Sequence, residues 1–120
     1  MPTRELFHQK RQRRSLLIHR EAFKDVGRRD AILSKALSVV SRWIEMNSTR
    51  DKTPSPYWVS WEKKIRELSF EDLKAFALSD SQDAIAHRRA SPFSTCLTPE
   101  QKDRVLQSLQ EEFGNIESRD

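Results

Sequence analysis

Among 120 residues there are only one cysteine, one tyrosine and two glycines. A lone Cys96 excludes an internal disulfide and points to a reducing cytoplasm. Gly27 and Gly114 are too few for a turn-rich β architecture. No apolar run approaches the roughly 18 residues a membrane helix needs, so no membrane association is expected. No hydrophobic stretch with a small-residue cleavage site follows the basic start, which argues against a secretory signal. His8, His19 and His87 show no i, i+3 or i+4 pairing, and neither an HExxH pattern nor a Cys/His cluster exists; no metal or cofactor is expected. No serine sits in a Gly-x-Ser-x-Gly elbow, and Cys96 has no histidine close in sequence, so it reads as a small core filler. Carboxylate pairs such as Glu71–Asp72 and Glu111–Glu112 read as solvated helix faces. No residue is assigned a catalytic role, and the chain is expected not to be an enzyme.

What the chain does have is charge. Charged residues make up 33% of it, and the net charge is +4. Residues 1–30 hold nine Lys/Arg against four acids, a surplus of +5, while the other ninety residues carry thirteen against fourteen, or −1. The positive excess therefore sits in the first quarter, which suits an acidic protein partner or a nucleic-acid backbone.

Apolar spacing predicts an all-α single domain, an irregular bundle of five to six short helices. Residues 1–15 read as a basic, flexible N-terminal arm, residues 16–114 as the helical domain, and residues 115–120 as a frayed tail. The first segment turns amphipathic at Leu16, Leu17, Ile18 and Phe23, with Gly27 as its expected C-cap. Asp30 is the expected N-cap of a second helix, with Ile32, Leu33, Ala36, Leu37, Val40, Trp43 and Ile44 on one stripe. Residues 47–55 read as a polar connection. Ser55 then caps a helix with Pro56 at its first position and Trp58, Trp61, Ile65 and Leu68 inward. Ser69 and the cluster Ser79-Asp80-Ser81 start two short helices, the first holding Phe70, Leu73, Phe76 and Ala77. Thr98-Pro99-Glu100-Gln101 starts the last, with Val105, Leu106, Leu109 and Phe113 apolar and Gly114 as the stop.

Two surfaces stand out as binding candidates. Lys10-Arg11-Gln12-Arg13-Arg14, with Arg4 and Arg20, can neutralise phosphates or meet an acidic partner. No aromatic interrupts the run and no helix-turn-helix follows, so base-specific reading is not expected. The alternative is a solvated basic arm. The second candidate is a partner surface at Tyr57 and at Arg88, Arg89, Ser91, Pro92 and Phe93. Trp58 and Trp61, one helical turn apart, read as core.

Three features carry a resemblance: Ile18-His19-Arg20 running through Asp30-Ala31-Ile32-Leu33 to Arg42-Trp43; Trp58-Val59-Ser60-Trp61-Glu62 with Ile65; and Arg88-Arg89-Ala90-Ser91-Pro92-Phe93 with Leu97-Thr98-Pro99-Glu100. Together, over residues 17–110, they resemble small bacterial helical proteins associated with toxin–antitoxin gene pairs. The chain departs from that pattern at Ser94-Thr95-Cys96, where such proteins often have an Ala-Gly step. The resemblance implies a non-enzymatic antitoxin that binds a cognate toxin-like enzyme and also its own operator DNA. The rival expectation is a nucleic-acid-binding regulator that uses the basic start.

Overall fold

The computed structural model describes residues 4–49 and 53–114. The fold is all-α. Among the described residues there are six α-helices: α1 (Arg4–Lys24), α2 (Arg29–Thr49), α3 (Pro56–Glu67), α4 (Phe70–Ala77), α5 (Gln82–Arg89) and α6 (Pro99–Phe113). Two 3₁₀ turns, Val26–Arg28 and Pro92–Thr95, join α1 to α2 and α5 to α6.

Helix starts follow the capping chemistry of the sequence. Ser55 Oγ accepts from Tyr57 N, Ser69 Oγ from Asp72 N and Ser81 Oγ from Ala84 N, at 3.2, 3.1 and 3.1 Å. Thr98 and Gln101 bond reciprocally, Gln101 N to Thr98 Oγ1 at 3.2 Å and Thr98 N to Gln101 Oε1 at 2.9 Å. Each such cap contributes about 1 kcal/mol by satisfying amides that the helix itself leaves open. Pro56 and Pro99 stand in first turns, where no intrahelical donor is lost. Gly114 ends α6 at φ +67°, a conformation that favours glycine.

Several boundaries differ from the sequence expectation. Residues 4–15 are not set apart from the domain: they form the first turns of α1. Within them Arg13 reaches α6, its Nε 3.0 Å from both carboxylate oxygens of Glu112. Helix α1 ends at Lys24, and Gly27 belongs to the 3₁₀ turn instead of capping it. That turn leads directly into α2, so Asp30 lies within the first helical turn and does not cap. Residues 47–49 of the expected connection continue α2. Residues 50–52 and the expected tail, 115–120, lie outside the described residues. Leu68 is 38% exposed because it adopts extended backbone as the cap of α3. Leu106 is 56% exposed because α6 buries the 101/105/109 stripe, about 100° away.

Trp61 lies at the centre of the core. It is fully buried and ringed by His19, Phe76, His87 and Phe93, with ring centroids 5.4–6.1 Å away. Those partners come from α1, α4, α5 and the Pro92–Thr95 turn, so one side chain of α3 fixes four other elements. Its indole N–H donates to His87 O at 2.7 Å. Around this centre α2 packs on α3, and α1 packs on α6, α5 and the Pro92–Thr95 turn. Replacing Trp61 by Phe keeps a ring but removes the indole bond and some volume; a loss of about 1–3 kcal/mol is expected, and about 3–5 for Trp61→Ala. Urea unfolding monitored by circular dichroism measures both.

Candidate functional site

Two histidines flank Trp61 in the same manner. His19 Nδ1–H donates to Ser15 O, four residues back in α1, at 2.6 Å, and its Nε2 accepts from Ser91 Oγ at 2.7 Å. His87 Nδ1–H donates to Asp83 O at 2.7 Å, and its Nε2 accepts from Ser60 Oγ at 2.8 Å. In each case the helical carbonyl fixes the tautomer, and the other nitrogen ties down a serine on a distant element. His19 lies nearly parallel to the Trp61 ring, at 12°, while His87 meets its edge at 79°.

Asp83 Oδ1 is also 3.2 Å from His87 Nδ1, so Ser60, His87 and Asp83 have the atom order of a catalytic triad. Its surroundings are structural. His87 is 4% exposed and enclosed by the rings of Tyr57, Trp61 and Phe76. Ser60 lies mid-helix in α3, where neighbouring amides are engaged in the helix and offer no oxyanion donors. Cys96 is buried too, and burial raises its thiol pKa. Among the described residues no three His, Cys, Asp or Glu side chains come together to hold a metal.

Above this bracketed core the surface opens into a recess of about 400 Å³ between α1 and α5. Helix α1 supplies His8, Arg11, Gln12, Arg14, Ser15 and Ile18, a set whose spacing falls on one helical face. Helix α5 supplies Ile85, Arg88 and Arg89. The lining holds four arginines and no carboxylate. Arg88 is only 7% exposed; its Nη1 donates to Ala77 O at 2.9 Å and to Ser79 O at 2.7 Å. Burial lowers its pKa from the ordinary value, and Asp80 opposes the shift. His8 Nε2 accepts from Gln12 Nε2 at 3.1 Å and from Arg89 Nη2 at 3.4 Å, which links the two helices at the rim.

Arg89 also borders a second groove, of about 490 Å³, lined by Trp43, Met46, Asn47, Trp58, Ala90, Ser91 and Ser94. Trp43 and Trp58 meet there at 5.4 Å. Met46, at 45% exposure, and Tyr57, at 38%, are exposed apolar side chains of α2 and α3.

The structure divides the sequence candidates. Arg11 and Arg14 share the recess with Arg88 and Arg89. Arg13 turns to Glu112, and Arg20 lies on the α6 side of α1 beside Glu21 and Arg104. Arg4 is exposed at the first turn and Lys10 is half-buried. Ser91, Pro92 and Phe93 are buried, so they shape the turn and offer a partner little surface. That turn needs no glycine, with negative φ at Ser91 (−93°) and at Cys96 (−98°). Sequence reading placed Gln12 in the basic run but missed His8, Ser15 and Ile85; the 8/11/15/18 spacing on α1 is the signal that marks its share of the recess.

No family model, no curated protein and no solved structure matches this chain. Among the described residues no helix is long and apolar enough to cross a membrane.

Burial holds His19 well below its ordinary value of 6.5, at about 4, with the Arg88 charge adding to the depression and the Ser15 bond opposing it. Unfolded, this imidazole takes up a proton near pH 6.5; folded, it resists until about pH 4. Its contribution is thus complete above pH 6.5 and falls progressively toward pH 4, by roughly 3 kcal/mol in total. His19→Gln is expected to flatten the pH 4–6.5 part of the stability curve relative to the parent chain, as read by urea midpoints at stepped pH.

Proposed function

We propose that this chain is a non-enzymatic interaction protein of antitoxin type, which binds a cognate partner enzyme and blocks it. The observation that supports this reading is the pairing of two surfaces at Arg89: an arginine recess without carboxylates on one side, and a tryptophan-lined groove on the other. Aromatic residues, methionine and arginine dominate binding energy at protein interfaces, and here Trp43, Met46, Trp58 and Arg89 adjoin. The partner that suits them presents an apolar side chain for the groove and carboxylates for Arg89, Arg11 and Arg14. The resemblance described above points the same way, and the buried, backbone-tied histidines offer no reactive group to a substrate. The cytoplasm is the compartment this reading assigns.

A second reading has its own support. Arg4, Arg11 and Arg14 fall within a quarter-turn of one another on α1, a spacing suited to successive phosphates of a nucleic-acid backbone such as operator DNA.

Co-expression with the product of the adjacent gene, expected to be a toxin-like enzyme, tests the first reading. The chain is expected to co-purify with that enzyme and restore growth, and Met46→Glu or Arg89→Glu is expected to weaken binding at least about tenfold. A parent chain that neither co-purifies nor rescues would overturn the reading. Fluorescence anisotropy with duplex DNA tests the second: a steep loss of affinity with salt, made shallower by Arg11→Gln and Arg14→Gln, is expected if the backbone is bound.

A further inference from the structure

We propose that the α1–α5 recess is a binding site for a small phosphate monoester, with the phosphate held by Arg11, Arg14, Arg88 and Arg89 and the organic body lying against Ile18 and Ile85. This assignment concerns a small ligand and does not depend on the antitoxin reading.

The argument starts from the deepest group. Arg88 has Nη1 engaged by two backbone carbonyls, which orients its guanidinium plane, while Nε and Nη2 meet no acceptor among the described residues. A nearly buried arginine that lines a cavity with part of its donor fork unmatched is a preorganised anion seat. Arg11 and Arg14 line the recess opposite it and Arg89 beside it, and none of the lining residues is an acid. Asp80, whose charge opposes the downward shift of the Arg88 pKa, is exposed and lies outside the lining. A bound anion supplies what the protein omits.

The chemistry of the wall narrows the class. A phosphate monoester carries about −1.5 to −2 charge at pH 7 and three terminal oxygens, which suits several arginine forks; a carboxylate offers one charge and two oxygens. Gln12 and Ser15 add neutral donors on the α1 side. Ile18 and Ile85 make part of the wall apolar, which an inorganic ion leaves uncovered and an organic body covers. The volume, about 400 Å³, lies in the range of small-molecule sites.

The test is titration of the full chain with adenosine monophosphate, inorganic phosphate and adenosine at constant ionic strength, followed by calorimetry and by amide NMR. Adenosine monophosphate is expected to bind saturably and more tightly than phosphate, with adenosine silent and shifts confined to residues 8–18 and 85–89. Arg14→Gln and Arg11→Gln, at exposed positions, are each expected to weaken binding at least about tenfold without altering the fold. Arg88→Gln is expected to abolish it, with circular dichroism and urea unfolding confirming that this variant is folded. Absence of saturable binding by both phosphate ligands would overturn the proposal, as would unchanged affinity in the Arg11 and Arg14 variants. Tight binding of duplex DNA with no response to adenosine monophosphate would also overturn it, in favour of a polymer backbone.

Discussion

Enclosure of Trp61 is the constraint on which the rest of the structure depends. A chain of this length, with few large apolar residues, has one modest core, and its short helices α4 and α5 are only eight residues each. Helices of that length do not hold themselves together in water. Here α4 contributes Phe76 and α5 contributes His87 to the same indole, so tertiary packing on a single ring replaces the helix length they lack. The histidines add direction to that packing. Each imidazole gives its proton to its own helix and accepts one from a serine elsewhere, so ring contact and hydrogen bond fix the same pair of elements.

The same constraint explains how α1 comes to divide its cations. With His19, Ala22 and Phe23 facing inward, the rotation of α1 about its axis is fixed. Arg13 and Glu21 then face α6 and pair with Glu112 and Arg104, while Arg11 and Arg14 are left toward α5. These exposed pairs contribute little individually, typically below about 1 kcal/mol. Their consequence is geometric: they hold Glu112 of α6 and Glu21 of α1 on the side of α1 away from the recess.

Much of the helical organisation was legible in the sequence because capping is local. Ser55, Ser69, Ser81 and Thr98 each act within three residues of themselves, and Pro56 and Pro99 mark the same starts. Boundaries that depend on a neighbouring element were not legible. Gly27 looked like a cap, yet the chain passes through a 3₁₀ turn into α2; Asp30 looked like a cap, yet that turn already supplies the helix entry. Residues 4–15 looked separable because they are polar, but the acid that Arg13 reaches, Glu112, is 99 residues away from it. The candidate site was half legible for the same reason. Arg11, Arg14, Arg88 and Arg89 were each visible as cations, but their convergence belongs to the α1–α5 packing. Conversely, Ser91, Pro92 and Phe93 looked like a presented motif, whereas the hydrogen bond of Ser91 to His19 draws them into the core.

That inward turn has an electrostatic consequence for the surface above it. The three exposed or half-exposed arginines of the recess are screened by solvent and salt, so their mutual repulsion is modest. Arg88 is not screened to the same degree, and burial without a paired acid works against its charged form. Two carbonyls, of Ala77 and Ser79, offset part of that penalty through charge-assisted bonds, and the side chain also lines the recess. A leucine or methionine at position 88 would leave the Ala77 and Ser79 carbonyls without this donor, so the guanidinium also ties α5 to the end of α4. On its solvent side the same residue lines the recess, and an anion seated there would gain from a charge that little water reaches.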